Sequence, residues 1–220
     1  MEDGLWTAMW LEEHWTPSGE SKNNGEAFQI WSNYWRGGDW DAVVIQDQSQ
    51  RPSFGSGYVY NNILPDAKTL VDAVRETNPC TRPVWFLTWG KRDGDTHNCN
   101  NGATALCTFD GVQDQLTEAY TTMAYVTQQA SVAPAGEAWR LYGNRAALFA
   151  GDGSHASSSG TYLTALTMVE TIWPDVSVVG NSYQPVGDAA TLQSLAHQAV
   201  ASRTWSWPEA GPRPCEACLP

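Results

Sequence analysis

Ala42-Val-Val-Ile45 is a short, continuous apolar run rich in β-branched residues and bounded by polar turns, the pattern of a strand buried on both faces. Such a strand needs covering layers, and the chain supplies helices on either side of further strands. Residues 62–77 carry Ile63, Leu64, Ala67, Leu70, Val71 and Val74 at helical spacing, with Pro65 in the first turn and Asn78-Pro79 at the exit. Residues 82–90 read as a second buried strand, followed by a polar loop over 91–108 and a helix over 111–128 through Val112, Leu116, Ala119, Tyr120, Met123 and Val126. Residues 131–136 give a short third strand, 139–149 a short helical connection, and 189–202 a last helix through Leu192, Leu195, Ala196 and Ala199. Nearer the start, 25–34 read as a surface helix closed by Arg36-Gly-Gly38. Strand and helix alternate throughout, which defines an α/β fold with a mainly parallel sheet. In such a sheet ligands bind at the carboxyl ends of the strands, so the polar stretch Gln46-Asp-Gln-Ser-Gln-Arg-Pro52, which leaves the first strand, is a candidate site wall.

The other candidate wall is the Gly-rich turn around Asp152 and His155. It runs into a segment whose Tyr162, Leu163, Leu166, Val169 and Ile172 recur at helical spacing, with Ser157, Ser158 or Ser159 as the N-cap and Trp173-Pro174 as the stop. An imidazole acting as general base needs its second nitrogen held by an acceptor, and a carboxylate three residues earlier can fold back to hold it. An isolated D-x-x-H is equally a turn aspartate beside an exposed histidine.

The neighbours of that turn carry more information. Phe149-Ala-Gly-Asp-Gly-Ser-His-Ala-Ser-Ser-Ser-Gly-Thr-Tyr-Leu163 resembles the last conserved block of SGNH/GDSL-type serine hydrolases. Trp40-Asp-Ala-Val-Val-Ile-Gln-Asp-Gln-Ser-Gln-Arg-Pro52 resembles the strand and turn that bear the oxyanion-hole side chain in that superfamily. Trp85-Phe-Leu-Thr-Trp-Gly90 and Val132-Ala-Pro-Ala-Gly-Glu-Ala-Trp139 resemble the next two strands of one of its branches. The resemblance spans residues 14–173. It implies a flavodoxin-like, three-layer α/β/α sandwich and hydrolysis of carboxyl esters by Ser/His/Asp acyl transfer, with no cofactor. His155 would be the general base, Asp152 its orienting acid, and Gln48 would stand where the superfamily has an oxyanion-donating Asn. Independently of the resemblance, Trp85, Trp89 and Trp139 are either core residues, the commoner role of large aromatic side chains, or the lining of a platform able to stack on sugar rings; the expected substrates are small-molecule or glycan esters. The Gly-Asp-Ser or Gly-Asn-Ser block that carries the superfamily's nucleophile has no counterpart here: Gly151-Asp-Gly-Ser154 belongs to the acid/base loop, and Gly180-Asn-Ser182 follows the final helix. The first βα unit of the fold is therefore missing from the pattern. Three explanations stand: a nucleophile outside this chain through truncation, an inactive binding or interaction module, or recruitment of Ser49 or Ser154.

Length and charge narrow the classes. The chain has 220 residues, enough for one domain over 1–204 followed by a Pro- and Cys-containing tail over 205–220. A net charge of -12 disfavours nucleic acid and anionic membrane as partners. No apolar run is long enough to span a bilayer, and Met-Glu-Asp-Gly is no signal peptide. Of the five cysteines, Cys99 with Cys107 and Cys215 with Cys218 form plausible disulfide pairs that leave Cys80 over, and they suit a secreted or lumenal protein. A metal-dependent hydrolase is a second alternative, because Asp93-Gly-Asp-Thr-His97 offers D-x-D-x-H to a site completed by Asp152 and His155, although metal is not the expectation.

Overall fold

The structure, a computed structural model, describes residues 40–48, 50–127 and 131–202. Its sheet consists of β1 (Ala42–Ile45), β2 (Arg82–Phe86) and β3 (Ser131–Ala133), all parallel and in the order β1-β2-β3. Ile45 pairs with Trp85 in one register and Trp85 with Val132 in the next. Among the described residues seven helices surround it: α1 (Ser56–Asn62), α2 (Leu64–Thr77), α3 (Thr96–Asn100), α4 (Phe109–Val126), α5 (Ala135–Leu141), α6 (Ser158–Ile172) and α7 (Ala189–Ala201).

The period of two along each strand sorts side chains into two cores. Val43, Ile45, Trp85, Leu87 and Val132 meet Val71 and Val74 of α2 and Leu116, Tyr120 and Met123 of α4. Ala42, Val44, Val84 and Ala133 meet Met168 and Ile172 of α6 on the opposite face. The result is the expected three-layer, flavodoxin-like α/β/α arrangement. The crossovers through α2 and α4 share one face, as connections of constant hand stepping one way across a parallel sheet must. Behind α6, a further cluster joins Trp139 of α5, Leu148, Leu163 and Leu166 to Leu192 and Ala196 of α7.

The elements follow the sequence pattern with several adjustments. The second strand, expected over 82–90, ends at Phe86, because its partner β3 runs out at Ala133, and the expected polar loop over 91–108 contains α3. The third strand stops at Ala133 instead of reaching residue 136, because Pro134 has no N–H to continue the ladder and Ala135 opens α5. The connection expected over 139–149 divides into the end of α5 and a 3₁₀ turn at Arg145–Leu148. The helix foreseen over 62–77 is α2, with Pro65 in its first turn, and the one over 111–128 is α4, whose Thr108 cap accepts a hydrogen bond from Gly111 N at 3.1 Å. The expected helix over 25–34 and the tail over 205–220 lie outside the described residues.

The start of α6 sits directly on the preceding 3₁₀ turn. A Cβ at Gly160 would come within 2.2 Å of the Leu148 carbonyl oxygen and 2.7 Å of the Trp139 ring. Gly160→Ala should therefore cost about 1–3 kcal/mol of stability through overpacking, measured by urea denaturation; a variant as stable as the parent would refute this close approach.

Candidate active site

The loop bearing Asp152 and His155 is closed at its base before it reaches solvent. Phe149 and Ala156 form an antiparallel bridge, Ala150 N donates to His155 O at 2.8 Å, and Ser157 N donates to Leu148 O at 2.8 Å. Ser157 then caps α6, accepting from Gly160 N at 3.2 Å while its Oγ donates to Ala147 O at 2.7 Å. Gly153, at φ +69°, occupies the left-handed region that a side chain resists and turns the loop back. Within this frame Asp152 Oδ1 accepts from the backbone N–H of Ser154 at 2.8 Å and of His155 at 2.9 Å. Its other oxygen, Oδ2, lies 2.5 Å from His155 Nδ1. An ionised carboxylate can only accept, so Nδ1 carries a proton, and in the neutral ring it is Nε2 that presents the lone pair. The His155 side chain is 84% exposed, and its Nε2 has no hydrogen-bond partner among the described residues. The His155 hydrogen bond, followed by the two backbone N–H groups, holds the Asp152 carboxyl far below the usual carboxylate range.

The segment leaving β2 supports this loop. Trp89 Nε1 donates to Ser154 O at 2.9 Å, and Arg92 N donates to Gly153 O at 2.9 Å. The Trp89 ring lies on that of Trp139, with centroids 4.1 Å apart and planes 3° from parallel, and Phe149 meets Trp139 edge-on at 4.9 Å. Buried Gln113 of α4 grips the same segment, accepting from Gly90 N at 2.9 Å and donating to Thr88 O at 3.3 Å. The β1 exit joins through Asp95, which accepts from Gln50 Nε2 at 3.0 Å and Asn98 Nδ2 at 2.7 Å. The two expected walls thus stand at the same, carboxyl, end of the sheet, linked by the β2 exit.

Individual candidates fare differently. Gln48 is exposed, and its Oε1 accepts from Gln50 N at 3.0 Å and Arg51 N at 3.3 Å, which leaves its amide N–H groups without a partner among the described residues. Ser49 lies outside the described residues. Trp85 and Trp139 are 2% and 0% exposed, so neither offers a ring face to a substrate, and of the two readings the core one holds for both. Trp89 is half-buried, with one ring face on Trp139 and its N–H on Ser154. The D-x-D-x-H stretch does not converge: Asp93 pairs with Arg92 at 2.8 Å, whereas Asp95 is buried among Gln50, Asn98 and Lys91. Among the described residues no group of three or more His, Cys, Asp or Glu side chains could hold a metal ion, and no helix is long and apolar enough to cross a membrane. Cys99 and Cys107 form the expected disulfide, with Cα atoms 4.9 Å apart. Cys80, expected to be left over, is instead disulfide-bonded, and Cys215 and Cys218 lie outside the described residues.

Gln113 went unrecognised in the sequence, and Asp47, Gln50 and Asp95, although inside candidate stretches, have partners that the sequence did not indicate. Gln113 interrupts the apolar stripe of α4 between Val112 and Leu116, and a buried amide at such a position must find partners, which is the signal that could have exposed it. Burial tends to raise the Asp95 carboxyl, but the Asn98 side chain and backbone N–H, then Lys91, outweigh it and hold it low. Asp47 behaves oppositely: burial raises its carboxyl despite Arg51 Nη1 at 3.0 Å. Gln50 looks like an ordinary turn residue until its partner on another loop is known.

Because the folded-state Asp152 carboxyl is depressed, its hydrogen bonds order the loop above the ordinary carboxylate value of about 4 and are lost only as pH falls through the depressed value. Amide exchange at Ser154 and His155, corrected for intrinsic rates, should stay slow through pH 4 in the parent and be fast at every pH in Asp152→Ala. Loss of protection in the parent across the ordinary carboxylate range would contradict the geometry.

No protein-family model and no curated protein matches this chain. It is similar to the crystal structure of a DUF4886 family protein from Bacteroides uniformis ATCC 8492, with a TM-score of 0.62 and 20% sequence identity over 77% of this chain. The match covers 65% of that structure's chain. At this identity the similarity speaks to the α/β/α fold alone.

Proposed function

We propose that this protein is an SGNH-type hydrolase of carboxyl esters, acting on small-molecule or glycan esters by acyl transfer. The observation that carries the reading is the Asp152–His155 pair: a carboxylate fixed by two backbone N–H groups, an imidazole oriented through Nδ1, and an Nε2 without a partner among the described residues, at the carboxyl end of a parallel sheet. In this scheme Nε2 takes the proton of a serine hydroxyl as its oxygen attacks the ester carbonyl, then returns it to the departing alcohol. Water repeats the sequence on the acyl-enzyme and releases the acid. The amide N–H groups of Gln48 are the candidate side-chain donors to the oxyanion. The Cys99–Cys107 bridge supports a secreted or lumenal setting.

The candidate nucleophiles are a serine outside the described residues, Ser49 included, and Ser154, whose backbone N–H and carbonyl are engaged by Asp152 and Trp89. Ser157 is committed to its cap and to Ala147, and Ser159 Oγ donates to Asp188 at 3.5 Å. Among the described residues no serine hydroxyl bonds the His155 ring. That same observation favours a second reading, an SGNH-like module that binds its ligand without turnover.

Hydrolysis of p-nitrophenyl acetate decides between them, measured on this chain and on a longer form beginning at the upstream coding sequence. Turnover insensitive to EDTA should appear in at least one form, fall by about 10³-fold or more in His155→Ala, and fall by on the order of 10⁴-fold in Asp152→Asn. Hydrolysis that survives His155→Ala, or none from either form, would overturn the proposal.

A further inference from the structure

Both peptide groups that donate to Asp152 are themselves held from behind. The Ser154 N–H belongs to the peptide whose carbonyl is that of Gly153, and that carbonyl accepts from Arg92 N at 2.9 Å. The His155 N–H belongs to the peptide whose carbonyl is that of Ser154, and that carbonyl accepts from Trp89 Nε1 at 2.9 Å. Two short chains therefore converge on one carboxylate oxygen, each running from the β2 exit through a peptide group to Asp152 Oδ1. A hydrogen bond to a peptide oxygen polarises the group and strengthens its N–H as a donor, so each chain acts cooperatively. With Oδ1 occupied twice, Oδ2 is the oxygen left to face His155 Nδ1.

We infer that Trp89 is a positioning residue for the Asp152–His155 pair, acting through the Ser154–His155 peptide and not by touching substrate. The inference builds on the hydrolase reading for its catalytic consequence, but the tie itself is a property of the folded chain. Three features fit Trp89 to the task. The ring is stacked face to face on Trp139, which is fully buried. Trp139 is fixed in turn, donating from Nε1 to Thr164 Oγ1 of α6 at 3.1 Å. Gln113 holds the residues on either side, Thr88 and Gly90, from α4. The indole N–H thus reaches the loop from a support anchored in two helices, and indole nitrogen, a donor with no acceptor function, cannot reverse the direction of the chain. Arg92 supplies its half of the arrangement from the backbone, which leaves Trp89 as the half that substitution can remove.

The experiment compares the parent with Trp89→Phe, which keeps an aromatic ring against Trp139 and deletes the donor. A second variant carries benzothienylalanine at position 89, in which sulfur replaces N–H with little change of shape. The primary readout is the titration of the Asp152 side-chain carboxyl, followed by carbon NMR and assigned with Asp152→Asn; it requires no enzymatic activity. In both variants the midpoint should rise towards the ordinary carboxylate value by about half a unit or more, and amide exchange at His155 should accelerate. In whichever form hydrolyses p-nitrophenyl acetate, kcat should fall between about 10- and 100-fold with KM unchanged. An unmoved midpoint and unchanged His155 exchange in a folded benzothienylalanine variant would overturn the inference, as would a change in KM alone. If the parent hydrolyses nothing while the midpoint still shifts, the tie stands and only the hydrolase reading falls.

Discussion

The middle strand of a parallel trio is the one whose backbone groups are claimed on both sides, and β2 occupies that place between β1 and β3. Beyond Phe86 the ladder gives out, and the chain must be held by other means. Leu87 N still reaches Ala133 O at 3.1 Å, then the Gln113 amide takes over at Thr88 and Gly90. A buried amide with both ends satisfied is costly to displace, because each orphaned group would forfeit its hydration without compensation. This fixes the β2 exit, from which the Asp152 loop on one side and the Gln50 contact on the other are suspended.

The layers were legible because they depend on local periodicity. The unbroken apolar run Ala42–Ile45 announces a strand covered on both faces, and Leu116 and Tyr120 at helical spacing announce the buried side of their helix, before any partner is known. Ser157 was readable as a cap, and Asp152 with His155 as a pair, because each interaction closes within three residues. Contacts between distant residues were not. Nothing near Gln50 indicates Asp95, 45 positions away, and nothing near Trp89 indicates Ser154, 65 positions away. The tryptophans stayed ambiguous for a related reason: an indole is apolar enough for the core and polar enough for a site, and only packing decides. Trp85 and Trp139 went to the core, and Trp89 lies between.

Charge is distributed unevenly at this end of the sheet. Asp95, buried, and Asp47, half-buried, are both carboxylates near strand exits, yet they respond in opposite senses. Asp95 collects several donors and stays ionised, whereas Asp47 is dominated by lost hydration even beside Arg51. Two similar residues on adjacent loops thus have different protonation behaviour because one has enough hydrogen bonds and the other does not.

The rim around Asp95 also contains α3, a single short helix with no buried residue of its own. It is kept in place by its Asp95 cap and by the Cys99–Cys107 bridge, since exposed polar groups supply little cohesion. A covalent link across so few residues trims the shapes available to the open chain more than it adds attraction to the closed one. Oxidising and reducing surroundings would therefore differ first in how often this corner opens, well before the sheet registers any change.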